Sequence, residues 1–178
     1  MALPGVGSAR DGLGALIRYS GVPRLLRRWE RRCATLVVYH DPSPETLDRH
    51  LRYMRERYHF TTLDALVAAI ETGDASGLPD RPLVLTLDDG HRGNFDLLPV
   101  FRQYEVRPTI YLCSQVVATD RHFWFEETEG GSGALKRLAT AERLAVQKRT
   151  TGFTPERGYS DARRQALSAE ELAEMAPW

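Results

Sequence analysis

From residue 34 onward the chain alternates short apolar runs with longer stretches in which apolar residues recur every three or four positions. Ala34 to Tyr39 is a nearly continuous β-branched and apolar run ending at His40. Such a run predicts a strand buried on both faces. Asp41, Pro42, Ser43 and Pro44 break it, and Ser43 followed by Pro44 reads as an N-cap and first helical residue. Leu47, Leu51, Met54 and Tyr58 then fall on one helical face, which makes this helix amphipathic. Phe60 to Thr62 fits a very short strand, and Thr62 can cap a second helix striped by Leu63, Leu66, Val67 and Ile70. Gly73 to Pro82 reads as loop.

Leu83 to Leu87 is the next buried strand, closed by Asp88, Asp89 and Gly90. Phe95 to Tyr104 has helical spacing, with Pro99 near the first turn or at a kink, and Pro108 to Leu112 supplies a further strand. A strand, a helical crossover and a strand in that order imply parallel pairing with the helix packed across the sheet. The expected class is α/β. Beyond Val117 the pattern is weaker. It comprises the aromatic patch Phe123, Trp124 and Phe125, the glycine-rich stretch 130–133 and a charged helix over 134–148. Ser168 then opens a capping box with Glu171, with Leu167 and Leu172 placed as its hydrophobic staple.

Composition adds few constraints. The 178 residues are 42% hydrophobic and 27% charged, as in an ordinary globular domain, and the formal net charge is zero. Without a net field to gather phosphates, nucleic acid is a poor partner. The asymmetry is local. Arg10, Arg18, Arg24, Arg27, Arg28, Arg31 and Arg32 face only Asp11 and Glu30, so residues 1–32 read as a basic helical segment preceding a domain over 33–178. Such a segment can lie on an anionic membrane surface or pack, solvated, on the domain. No apolar run suits a signal peptide or a membrane span, which makes a cytoplasmic location the expectation. Cys33 and Cys113 stand far apart beside apolar runs and read as buried free thiols.

The candidate chemistry sits at Asp88 and Asp89. Strand C-termini are where ligand groups gather in parallel α/β folds. Two adjacent carboxylates resist joint ionisation, which a bound cation would relieve. One carboxylate could then ligate the metal while the other takes a proton from metal-bound water. A solvated pair at a turn and helix entry explains the same residues without chemistry. An Asp that accepts a phosphoryl group is a third reading, unsupported by any P-loop pattern.

The stretch LVLTLDDG, a polar turn, a helix containing Leu98, Pro99, Val100 and Phe101, and then RPTIYLCSQVV resembles the first motif region of the NodB-like polysaccharide deacetylases, carbohydrate esterases whose motif is usually TFDDG. Leu87 stands where that family has Phe. VVYH, residues 37–40, is similar to the family's first strand, and YSDARRQALSAEELAEMAP to the segment leading into its second motif. The resemblance implies the N-terminal part of a distorted (β/α) barrel with parallel strands. It further implies hydrolysis of an N-acetyl group on an amino-sugar polysaccharide, with Asp88 as general base and Asp89 as a ligand of a divalent metal, zinc or a neighbouring cobalt, manganese or nickel ion.

The family's other two ligands form a His-x-x-x-His motif, and no two of His40, His50, His59, His91 and His122 have that spacing. Three protein ligands are usual for catalytic zinc, so weak or absent metal binding and impaired activity are expected of a chain ending before that motif. His50 and His59 read as surface groups and His122 as a core or loop residue. His40 and His91 each follow a strand end on the Asp88 side, where they could contact substrate or support the ligands. The alternative is a non-catalytic glycan-binding domain with a groove lined by Phe123, Trp124 and Phe125. A partial barrel would also expose sheet edges and apolar faces, favouring self-association.

Overall fold

The computed structural model of the protein describes residues 12, 14, 16, 17, 19–23, 33–129 and 131–177. Four strands, β1 (Thr35–Tyr39), β2 (His59–Thr61), β3 (Pro82–Leu87) and β4 (Thr109–Ile110), form one parallel sheet, and the fold is α/β as the sequence implies. β3 is central. β1 pairs along it from Thr35 opposite Leu83 to Tyr39 opposite Leu87, while β2 and β4 pair with its first and last residues. A strand with neighbours at both edges and apolar side chains throughout is the easiest to bury, and every residue of β3 is buried.

The helices form where their caps and stripes place them. α1 (Pro44–Arg55) starts behind Ser43, whose side chain accepts from the Thr46 amide, and it buries Leu47 and Leu51. α2 (Leu63–Thr72) starts behind Thr62, which accepts from the Ala65 amide, and it ends at Gly73 in the left-handed conformation. A 3₁₀ turn over Arg92–Leu97 precedes α3 (Leu98–Tyr104), with Pro99 in the first turn of α3 where its missing N–H removes nothing. The single helix expected from Phe95 is therefore split. The charged stretch also breaks, into a 3₁₀ turn over Leu135–Arg137 and α4 (Thr140–Thr150), because Leu138 and Ala139 are extended between them. α5 (Ala169–Met175) carries the full capping box of Ser168 and Glu171.

The core joins Leu47 and Leu51 of α1, Leu85 and Leu87 of β3, and Leu98 and Phe101 of α3. Val37 and Tyr39 of β1 pack against it, whereas Leu36 and Val38 are 53% and 52% exposed. Two-sided burial of β1 is therefore corrected. Its outer face meets no second layer among the described residues. The expected strand at Pro108 to Leu112 is also shorter than its apolar run, because only Thr109 and Ile110 stay in register with β3.

Cys33 is exposed, against its expected burial, because it precedes the first residue of the sheet. The basic segment lies mostly outside the described residues. Of those described, Leu16, Ile17, Tyr19 and Val22 are exposed. Among the described residues no helix is long and apolar enough to cross a membrane.

Candidate functional site

β3 delivers Asp88 and Asp89 to the C-terminal edge of the sheet, and the backbone there is fixed from three directions. On the β1 side the Asp88 amide donates to the Tyr39 carbonyl at 2.8 Å. On the β4 side the Tyr111 amide donates to the Leu87 carbonyl at 2.8 Å and the Cys113 amide to the Asp89 carbonyl at 3.2 Å. From above, residues 165–167 lie antiparallel to the turn. The Arg92 amide donates to the Gln165 carbonyl at 2.7 Å and the Leu167 amide to the Gly90 carbonyl at 2.9 Å. A turn held this way keeps its geometry without a ligand to organise it.

The turn itself is unusual backbone. Asp89 has φ 72° and Gly90 φ 74°, two successive left-handed residues. Asp tolerates that conformation better than most residues, at a cost of about 1–3 kcal/mol. Glycine at position 90 is required twice over, by its φ and because a Cβ there would lie 2.7 Å from Leu112 Cδ2 and 2.9 Å from Val117 Cγ2. The loop after β1 is knit to the same turn. Buried Asn94 donates through Nδ2 to the His40 carbonyl at 2.9 Å, and Gly93 leaves room for the Asp41 carboxylate to pack against its Cα.

Around the Asp89 carboxylate two side chains converge. The Cys113 thiol donates to Oδ1 at 3.3 Å, and His91 Nε2 lies 3.6 Å from Oδ2. Burial, the hydrogen bond to Asp89 and the charges of Asp89 and Asp88 together push the Cys113 thiol up to about 11, so it stays protonated near neutrality. His91 is 8% exposed, with its ring against Phe123 at 4.7 Å and Phe125 at 6.0 Å between centroids. It is therefore a buried partner of Asp89 as well as a turn residue. His40 is exposed at the end of β1 and contributes its carbonyl to the site. Asp88 is half-buried beside them.

The remaining histidines lie elsewhere. His59 is exposed, as expected, whereas His50 is half-buried with Nδ1 2.8 Å from the Tyr39 hydroxyl. His122 is buried beside Glu127, in keeping with a core position. A glycan groove of three aromatics is not formed. Phe123 is 1% exposed and Phe125 stacks on it at 5.1 Å, because both close over His91. Only Trp124 stands apart, with the Arg143 guanidinium 4.0 Å from its ring centre.

Asn94 and Gln165 carry no role in the sequence pattern, and Cys113, expected to be a buried free thiol, is half-buried and bonded to Asp89. A thiol after a short strand and an amide in a polar turn carry no local signal. Gln165 reaches the site by tertiary pairing, its Oε1 accepting from the Phe123 amide at 2.8 Å. As a set of zinc donors the assembled groups are incomplete. Among the described residues no three His, Cys, Asp or Glu side chains are grouped to hold a metal ion. What the arrangement offers is a fixed carboxylate pair, one member hydrogen-bonded by a thiol and flanked by imidazole.

No family model matches the chain, and no curated protein matches it either. Among solved structures it is similar to a de-N-acetylase from Aggregatibacter actinomycetemcomitans, with a TM-score of 0.50 at 15% identity over 81% of this chain and 50% of that one. A Streptococcus pyogenes deacetylase, PplD, solved with acetate, gives a TM-score of 0.37 at 14% identity over 65% of this chain and 51% of that one. The chain thus spans about half the length of each. At that identity the first likeness is one of fold, and the fold it shares is that of a de-N-acetylase.

Proposed function

We propose that the chain carries the carboxylate half of a de-N-acetylase active site of the NodB-like kind, acting on an N-acetylated amino-sugar polysaccharide. The observation that carries this reading is the clamped turn at the end of β3, where Asp88 and Asp89 stand side by side with Asp89 in a left-handed conformation. Backbone strain of that kind persists where geometry is needed for chemistry. In this reading Asp88 is the general base that takes a proton from the attacking water, and Asp89, oriented by Cys113 and His91, is a metal ligand. The shared fold with a de-N-acetylase supports the reaction class.

A divalent ion such as zinc would supply polarisation of water and carbonyl, but the donors described here do not complete its site. Two imidazoles from outside these residues would be needed, so this chain alone is expected to release little or no acetate.

The test is zinc calorimetry and acetate release from an acetylated chitin oligomer, with amide NMR to locate binding, on the wild type and Asp89→Ala. Weak zinc binding lost in Asp89→Ala, oligomer-induced shifts at residues 88–91 and negligible acetate are the expected results. Tight zinc binding with acetate release would overturn the inactivity. Shifts from neither zinc nor oligomer at the turn would overturn the deacetylase reading. Saturable oligomer binding unaffected by Asp89→Ala and without any zinc binding would favour the non-catalytic glycan-binding alternative.

A further inference from the structure

Away from the β3 turn, a second place in the molecule holds buried polar groups that the fold leaves unsatisfied. A cavity of about 180 Å³ lies between the segment after β4, the turn 122–127 and the start of α4, lined by Val116, His122, Trp124, Thr140, Arg143 and Phe153 among others. His122 is fixed within it. Its side chain is 1% exposed, its Nδ1 lies 2.6 Å from Glu127 Oε1, and Tyr159 stacks on the ring at 3.5 Å between centroids. The Glu127 contact takes up Nδ1 and leaves Nε2 as the ring's remaining hydrogen-bonding atom. That Nε2 is buried without a partner.

The second unsatisfied group is cationic. Arg143 Nε is buried without a partner, and among the described residues no carboxylate lies within ion-pair distance of Arg143. Its guanidinium rests over Trp124 at 4.0 Å. α4 begins beside it at Thr140, and Ala139 in the cap position has no side-chain acceptor for the free first-turn amides. No acidic residue lines the cavity, and Glu142 of that turn is exposed. A positive region without a counter-charge beside a buried, unpaired ring nitrogen is costly unless a ligand satisfies both.

We propose that this cavity binds a small carboxylate bearing a neighbouring hydroxyl. The carboxylate meets Arg143 and the first turn of α4, the hydroxyl hydrogen-bonds His122 Nε2, and the carbon body packs on Trp124 and Phe153. A uronic acid residue of a glycan and a free 2-hydroxy acid share that chemistry. The site is separate from the Asp88 turn, so it stands whether or not the chain is a deacetylase.

The experiment is amide and indole NMR titration of the whole chain with lactate, glucuronate, propionate, lactamide and sulfate. Lactate or glucuronate should give saturable shifts at the Trp124 indole and amides 140–143, the tighter of the two naming the source. Propionate, lacking the hydroxyl, should bind more weakly, and neutral lactamide should not bind. Arg143→Met should weaken binding by about tenfold or more, the scale of one charge-assisted hydrogen bond, with part of it restored in Arg143→Lys. Lactamide or sulfate matching lactate, wild-type affinity in Arg143→Met, or no shifts at these positions would each overturn the proposal. Should Arg143→Met fail to fold, the ligand series on the wild type decides alone.

Discussion

β1 and β3 lie side by side in register and are built from nearly the same residue types, TLVVY against PLVLTL, yet they are buried differently. All six residues of β3 are buried, whereas exposure alternates along β1 and leaves Leu36 and Val38 half in solvent. The cause is position in the sheet. β3 has strands on both edges, and among the described residues β1 has one. An apolar run states that a strand tolerates two-sided burial; only neighbouring layers provide it. The same contrast separates the two strand ends. Asp88 and Asp89 are clamped from three sides, while His40, at the end of β1, is exposed.

Truncating one apolar residue in each strand should give the largest difference between β1 and β3. Leu85→Ala should destabilise the fold by about 2–5 kcal/mol, and Leu36→Ala by less than about 1 kcal/mol, read by denaturant unfolding. Equal losses would mean that the outer face of β1 is covered in solution. Gly90→Ala should cost about 1–3 kcal/mol, because it meets both a left-handed φ and the contact with Leu112 and Val117. An unchanged melting temperature would mean the clamp on the turn yields easily.

Next in size is the ion pair that anchors the segment crossing the turn. Arg164 grips Glu171 through two hydrogen bonds of 2.6 and 2.9 Å and also donates to the Ala166 carbonyl at 2.8 Å. The Arg164 guanidinium holds the Glu171 carboxyl below the ordinary glutamate value of 4.5. A lowered folded value means stability that is fully present above the unfolded value and lost as pH falls through the folded one. Glu171→Gln should therefore cost about 1–3 kcal/mol at pH 7, with the difference from the wild type closing below pH 4.5. A gap that is constant with pH would assign the loss to packing.

The smallest effect on stability belongs to the β1 face. Leu36→Lys with Val38→Lys should change unfolding free energy by about 0.5 kcal/mol or less while reducing self-association measured by light scattering. A large stability loss would again place a covering layer there.

Much of this structure is legible from local rules. Ser43, Thr62 and Ser168 start their helices because a side-chain oxygen meets an orphan amide within the same turn. The placement of Asp88 and Asp89 follows from the apolar run that ends at Leu87. What the sequence leaves silent is remote. Gln165, Ala166 and Leu167 reach the β3 turn by one antiparallel bridge, and nothing in their composition marks them as strand. Cys113 comes to Asp89 because β4 pairs with the end of β3, and His91 is buried because Phe123 and Phe125 fold over it.

Local residue order suffices for the succession of strands and helices, for the caps at Ser43, Thr62 and Ser168 and for the carboxylate pair at a strand end, since these depend on residues within a few positions of one another. Which face of each strand is dry, which groups flank Asp89 and that His122 and Arg143 share a cavity follow only from the packed fold. Those outcomes depend on contacts between segments far apart in the chain, where burial and hydrogen-bond satisfaction are settled by the whole packing and not by any one stretch of residues.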